Sequence, residues 1–263
     1  MVKALFSEVP VEIVPLNFKT KSGFAHPPDP LDKSNLASTC KAVIDNTAHL
    51  GICLDGDGDR AVFVDELGRI VPGDLMTALL AKYLLEDNPG ALVVYDLRCS
   101  KVVPETIRAA GGVPRCERVG YLKKAMTRGQ GLLAGGIGGK YYFRDNFNCD
   151  SAAIAIALTM GMLSGQDRPL SELIAPLACY SHSGEISFET DDPDDAIGRM
   201  VSALDGDATN HHDGMTFSFD DWWCNVRPSR SASLIRLNLE ANTPALMNKK
   251  LDLVRGILSL PEV

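Results

Sequence analysis

The hexapeptide Asp55-Gly56-Asp57-Gly58-Asp59-Arg60 lies between two apolar runs, His49 to Leu54 (HLGICL) and Ala61 to Asp65 (AVFVD). Both flanks read as strands, so the hexapeptide is the turn that joins them. Three carboxylates at alternate positions of a tight turn repel one another. A bound cation offsets that repulsion, and the glycines let the backbone curl until the three oxygens converge. A solvated acidic turn is the competing reading. An EF-hand is rejected, although Asp55, Asp57, Asp59 and Glu66 fall at calcium-loop positions. Arg60 stands where that loop requires glycine, and the flanks are strand-like rather than helical.

Two further stretches can carry chemistry. Gly135-Gly136-Ile137-Gly138-Gly139-Lys140 is followed by Tyr141-Tyr142-Phe143-Arg144-Asp145. Its glycines leave backbone amides open to a ligand, or make it a plain connector. Arg227-Pro228-Ser229-Arg230-Ser231-Ala232-Ser233, closing at Arg236, sits between two strand patterns. Its guanidinium and hydroxyl groups suit a phosphate clamp, with an exposed basic loop as the alternative. The acidic run Asp191 to Asp195 reads as a helix N-terminus. Trp222 and Trp223 read as one core and one partly exposed strand residue, and His211-His212 as a surface turn.

Working outward, Val11 to Leu16 reads as a strand, with Pro15 marking an edge or an end. Lys19 to Pro30 reads as a loop, and Asn35 to Thr47 as a helix. Asp74 is placed to cap a helix that ends at Asn88-Pro89-Gly90. Ala91 to Tyr95, a helix from Lys101 to Ala110, Val113 to Arg118, Leu132 to Gly135 and a helix opened by Asp150-Ser151 continue the alternation. That rhythm predicts parallel α/β units with helices on both faces. After Tyr180 the pattern changes to Gly184 to Glu189, a helix from Asp192-Pro193, Met215 to Phe219, Trp222 to Arg227, Leu234 to Glu240 and a helix from Pro244. This predicts an α+β unit with an antiparallel sheet.

Composition sets limits on function. The 263 residues are 45% hydrophobic and 23% charged, an ordinary globular balance. Acidic residues number 34 and basic ones 26, a formal charge of −8 that argues against nonspecific nucleic-acid binding. Seven cysteines without C-x-x-C spacing predict neither zinc sites nor a disulfide framework, and point to the cytoplasm. The longest apolar run, Ala152 to Leu163, falls short of the roughly 20 residues a membrane span needs. No secretory h-region is visible near the start.

The loop DGDGDR, the segment YYFRDN, and DWWCNVRPS followed by SLIRLNLEA occur together and in order in one family. On these motifs the chain resembles the α-phosphohexomutases, in the phosphomannomutase/phosphoglucomutase branch, from about Leu5 to its end. The resemblance implies a partial second and a complete third α/β domain of that fold, then a smaller α+β domain, divided as 1–72, 73–179 and 180–263. It implies a phosphoryl exchange between sugar hydroxyls through a phosphoserine. It implies magnesium, or another divalent cation, on Asp55, Asp57 and Asp59, with Arg60 beside the phosphate. Gly136 and Gly138 fall in the sugar-reading loop, and Arg227, Ser229, Ser231 and Arg236 in the loop that grips phosphate.

Departures from the pattern bear on function. No Thr-Ala-Ser-His-Asn-Pro type segment occurs in these residues, so the serine relay has no carrier among them. The sugar loop's usual Gly-Glu-x-Ser-Gly-His is here Gly135 to Lys140, with glycine in place of Glu and Ser. The usual Gly-His-Ser/Thr-x-x-Lys segment is shortened to Gly120-Tyr121-Leu122-Lys123-Lys124. Lys140, Tyr121 and Lys123 are thereby new polar groups facing the inferred cleft, with acid or base roles open to them. The expectation is a phosphomannomutase-like, metal-binding protein repurposed for other metal-assisted chemistry on a small phosphorylated or sugar-like ligand. A noncatalytic scaffold and a mutase fragment completed by another chain are the alternatives. An uncovered sheet edge predicts a homo-oligomer or a protein partner, with no nucleic acid or membrane.

Overall fold

The computed structural model describes residues 6–18, 23–24, 26–29, 32–204, 207–210, 213–229 and 232–263. His211-His212 and Ser231 lie outside them, as does part of the loop expected from 19 to 30. Three sheets organise the described chain.

The first is antiparallel throughout: β1 (Gly51–Leu54), β2 (Ala61–Val64) and β3 (Ile70–Val71). The turn read between the two strands is a hairpin. Leu54 pairs with Ala61 across six residues, a connection long enough for a hairpin and too short for a crossover. Residues 11–15 form no strand, and Val14 and Leu16 are exposed. Pro10 and Pro15 each remove a ladder donor from this stretch. Helix α1 (Ala37–Asp45) covers one face of the hairpin, where Leu36 and Val43 pack on Cys53, Val62 and Val64. The other face, Ala61, Phe63 and Val71, joins the large central core. Strand β2 is therefore buried on both sides, which accounts for its continuous apolar run.

The central sheet runs β5-β4-β6-β7-β8. Strand β4 (Leu92–Asp96) lies parallel to β5 (Val113–Glu117) and β6 (Leu133–Gly135). The glycine-rich turn after β6 sends β7 (Tyr141–Phe143) and β8 (Cys149–Asp150) back antiparallel. Helices α2 (Gly73–Glu86) and α3 (Val102–Ala109) bury Val93 and Leu133 on one face. Helix α4 (Leu122–Gly129) buries Val94 and Ala134 on the other. Helix α5 (Ala152–Ser164) starts at Ser151, whose hydroxyl accepts from the Ile154 amide at 3.2 Å. The short α6 (Leu170–Ile174) is tied to the first sheet, where Ser171 donates to Glu66 through its hydroxyl and amide. Asp74 does not cap α2. Pro72 holds that position, and the buried Asp74 carboxylate accepts from the Leu75 amide at 2.9 Å and the Ser100 amide at 3.0 Å.

The third sheet, β10-β11-β12-β13-β9, is antiparallel throughout as expected. Its strands are β9 (Ser181–Glu189), β10 (Asp207–Asn210), β11 (Met215–Ser218), β12 (Trp222–Pro228) and β13 (Leu234–Ala241). Helices α7 (Pro193–Ala203) and α8 (Pro244–Leu258) cover the face made by Trp222, Cys224, Val226, Ile235, Leu237 and Leu239. The opposite face carries Trp223, Asn225 and Arg227 beside Arg236, Asn238 and Glu240. All but Arg236 are buried, which corrects the expectation of one partly exposed tryptophan. Glu240 Oε1 accepts from Trp223 Nε1 at 2.8 Å and from the Lys101 amide at 2.9 Å, so this polar face docks on the start of α3. All seven cysteines are free thiols. Among the described residues, no helix is long and apolar enough to cross a membrane.

Phe63 is fully buried and meets the ring of Tyr141 edge-on at 6.1 Å, joining the first sheet to the central one. Phe63→Ala is expected to cost about 3–5 kcal/mol. Urea unfolding of parent and variant measures it, and a loss below about 1 kcal/mol refutes the shared core.

Candidate metal and phosphate site

Asp55, Asp57 and Asp59 each offer a carboxylate oxygen, and the three oxygens lie within 4.8 Å of one another. The turn holds them together through Asp55. Its Oδ1 accepts from the amides of Gly58 (3.0 Å), Asp59 (3.0 Å) and Arg60 (3.1 Å). Its Oδ2 accepts from Arg60 Nε at 2.7 Å. Burial pushes the Asp55 pKa up, but the Arg60 guanidinium and amide outweigh it and lower it to about 2. Gly58 takes φ +76, which closes the turn. Asp57 is exposed at its tip.

Asp59 is the strained member. Burial and the neighbouring Asp55 carboxylate raise its pKa against the pull of Lys140. Its Oδ1 is buried without a hydrogen-bond partner. Its Oδ2 accepts from Lys140 Nζ, which also donates to Asp150 Oδ2 at 3.1 Å. A divalent cation fits this set: the donors are hard oxygens, one is orphaned, and the crowding calls for positive charge. Lys140 faces two carboxylates that outweigh its desolvation and raise its pKa. The lysine is thus held as a cation, a poor starting point for a base.

Tyr121 and Lys123 lie at the start of α4. Arg118 stacks on the Tyr121 ring at 3.4 Å. Lys123 Nζ donates to Cys149 Sγ at 3.1 Å, one residue from Asp150.

The glycine loop reaches from the triad toward the third sheet. A side chain at Gly136 would stand 2.5 Å from the Asp96 Cβ, so Asp96 fills the space a longer residue would need. Gly138 has no such neighbour within 4 Å. Asp96, at the end of β4, accepts from the Arg98 amide (2.9 Å) and its guanidinium. Arg98 Nη1 in turn lies 3.7 Å from Glu185 Oε2. Glu185, on β9, also receives Arg227 Nη2 on Oε2 and Arg236 Nη1 on Oε1 at 2.7 Å. Sequence reasoning found Arg227 and Arg236 and missed Asp96, Arg98 and Glu185. The signal available was strand alternation, which puts Glu185 on the face of its register partner Asn238, beside Arg236. Ser229 follows β12, and its amide donates to the Leu234 carbonyl at 2.8 Å.

Comparison with known proteins agrees with this arrangement. Residues 1–68 match the family model described as phosphoglucomutase/phosphomannomutase alpha/beta/alpha domain II, and residues 72–180 match domain III. The chain belongs to the phosphoglucomutase/phosphomannomutase family. It is 35% identical over 237 residues to the phosphomannomutase of Methanocaldococcus jannaschii, covering 89% of this chain and 53% of that protein. It is 33% identical over 238 residues to the phosphomannomutase of Escherichia coli, covering 88% and 52%. A crystal structure of a phosphoglucomutase/phosphomannomutase family protein from Burkholderia thailandensis superposes with a TM-score of 0.80 at 27% identity, over 89% of this chain and 51% of that one. The chain spans about half the length of the curated relatives it matches.

Two measurements check the geometry. Gly136→Ala is expected to destabilise by about 1–3 kcal/mol through overpacking against Asp96, while Gly138→Ala stays within about 1 kcal/mol. Equal losses in urea unfolding refute the contact. The arginines hold the Glu185 pKa below its usual range despite burial. Glu185 therefore stabilises fully above the ordinary glutamate value of about 4.3, and this is lost as pH falls toward the lower folded value. The melting temperature of Glu185→Gln should fall less steeply than the parent's across that acid window.

Proposed function

We propose that this chain binds a divalent cation, magnesium by its donor chemistry, on Asp55, Asp57 and Asp59. We propose further that Arg227, Ser229 and Arg236 take the phosphate of a small sugar-like ligand. The observation that carries the reading is the convergence of three carboxylates with one oxygen of Asp59 buried and unpartnered. A bound divalent ion supplies charge neutralisation for a phosphoryl oxygen. The chain's own residues do the rest. Arg60 orients Asp55, Lys140 neutralises and places Asp59, and the open backbone at Gly138 leaves room for a sugar ring. These residues hold no serine-loop carrier, so the chemistry they support is metal-assisted handling of the ligand without mutase exchange. A second reading has its own support. The chain spans about half of its curated relatives, so a serine loop supplied from outside these residues restores phosphoryl exchange.

Calorimetric titration with magnesium tests the first reading. The parent gives a saturable heat, and Asp57→Asn weakens it on the order of tenfold, since one charged ligand is lost. Lys140→Met tightens magnesium about fivefold, because it removes a cation that competes for Asp59. Equal heats in parent and Asp57→Asn remove the metal site. Turnover of mannose 6-phosphate by the chain alone overturns the assignment of non-mutase chemistry.

A further inference from the structure

Three guanidinium groups from different strands and loops converge on one carboxylate. Arg98 follows β4, Arg227 is on β12 and Arg236 on β13, and all three lie against Glu185 of β9. The setting is partly dry: the Arg227 side chain is 5% exposed, Arg98 14% and Glu185 22%, while Arg236 is 36% exposed. Two of these arginines are the ones assigned above to phosphate. Glu185 thus occupies, from within the chain, edges of the clamp that an incoming anion needs. The clamp retains donor capacity as well. Arg236 Nε is buried without a partner, and Arg227 Nη1 meets Asn225 Oδ1 at a long 3.4 Å. Burial, together with repulsion from Arg98, lowers the Arg227 pKa despite Glu185 and a weaker pull from Asp213.

We propose that Glu185 is an internal anion of the arginine clamp and determines its specificity, admitting dianionic phosphate and rejecting monoanions. This rests on the phosphate reading of Arg227 and Arg236. The reason is Coulombic. A carboxylate or a sulfate monoester that displaces Glu185 exchanges one negative charge for another and gains little. A phosphate dianion brings twice the charge and gains on every guanidinium it meets. Glu185 also keeps the arginines paired when no ligand is bound, which spares them the cost of buried unpaired charge. The contact with Arg98 spans the third sheet and the end of β4, so displacement at the clamp is felt beside Asp96 and Gly136.

The test is calorimetric titration of the full chain at pH 8 with inorganic phosphate and with acetate. Parent, Glu185→Gln and Glu185→Asp are compared, with circular dichroism to verify folding. The parent should bind phosphate and give no acetate heat. Glu185→Gln, which keeps shape and removes charge, should bind phosphate roughly tenfold more tightly and take up acetate. Glu185→Asp keeps the charge and should stay within about threefold of the parent. A folded Glu185→Gln that binds phosphate equally or more weakly overturns the proposal and leaves the clamp standing. A parent that binds acetate as tightly as phosphate overturns it without any variant. Absence of phosphate binding in all three removes the clamp reading, and this proposal with it.

Discussion

Carboxylate crowding at the end of β1 is the constraint on which the rest of the site depends. Asp55 cannot swing away, because one oxygen already accepts three backbone amides and the other holds Arg60. Asp59 is then fixed close beside it, and the electrostatic cost shows in its raised pKa and its orphaned oxygen. Lys140 answers part of that cost. It arrives from the glycine loop after β6, where the backbone of Lys140 also bridges to Arg60 and Gly139 O accepts from the Ala61 amide at 2.9 Å. The first and central sheets are therefore joined at the point of greatest negative charge. A cation at the triad would compete with the lysine for Asp59, so metal affinity and the inter-sheet contact are coupled through one carboxylate.

The C-terminal sheet presents the opposite sign. Its outer face alternates as a solvated face should, yet it is buried, and its polar groups pair across the boundary with the central unit. Burial of this kind is costly unless each group finds a partner. Some do not: both side-chain polar atoms of Asn238 and one oxygen of Glu240 are unpartnered. Directed contacts cross this interface: the Lys101 amide to Glu240, Lys101 Nζ to the Phe219 carbonyl, and Arg98 to Glu185.

The sequence made the periodic elements legible because their burial is regular. The hairpin around DGDGDR, the helix begun by Ser151 and the alternating strands β12 and β13 all follow from local chemistry. Short elements were not legible: β3, β7, β8 and β10 span two to four residues, and α4 has a helical stripe diluted by Lys and Arg. The strand expected from Val11 to Leu16 had the right pattern but pairs with no strand among the described residues, which no pattern can supply. At the site, the clustering of the three carboxylates was legible because all of them sit in one turn. Asp96, Arg98 and Glu185 were not, since each acts on residues far away in sequence. Glu185 was read only as part of an alternating strand, and its meaning comes from three arginines that folding brings to it.

Triad and clamp are linked by a continuous line of contacts. From Asp59 it runs through Lys140 into the glycine loop, where Gly136 abuts Asp96, then through Arg98 to Glu185 and the two clamp arginines. The line begins in surplus negative charge and ends among guanidinium groups, so a field runs along it. Gly136 is the narrow point of this line. Its lack of a side chain lets Asp96 occupy the space and hold Arg98, which in turn faces Glu185.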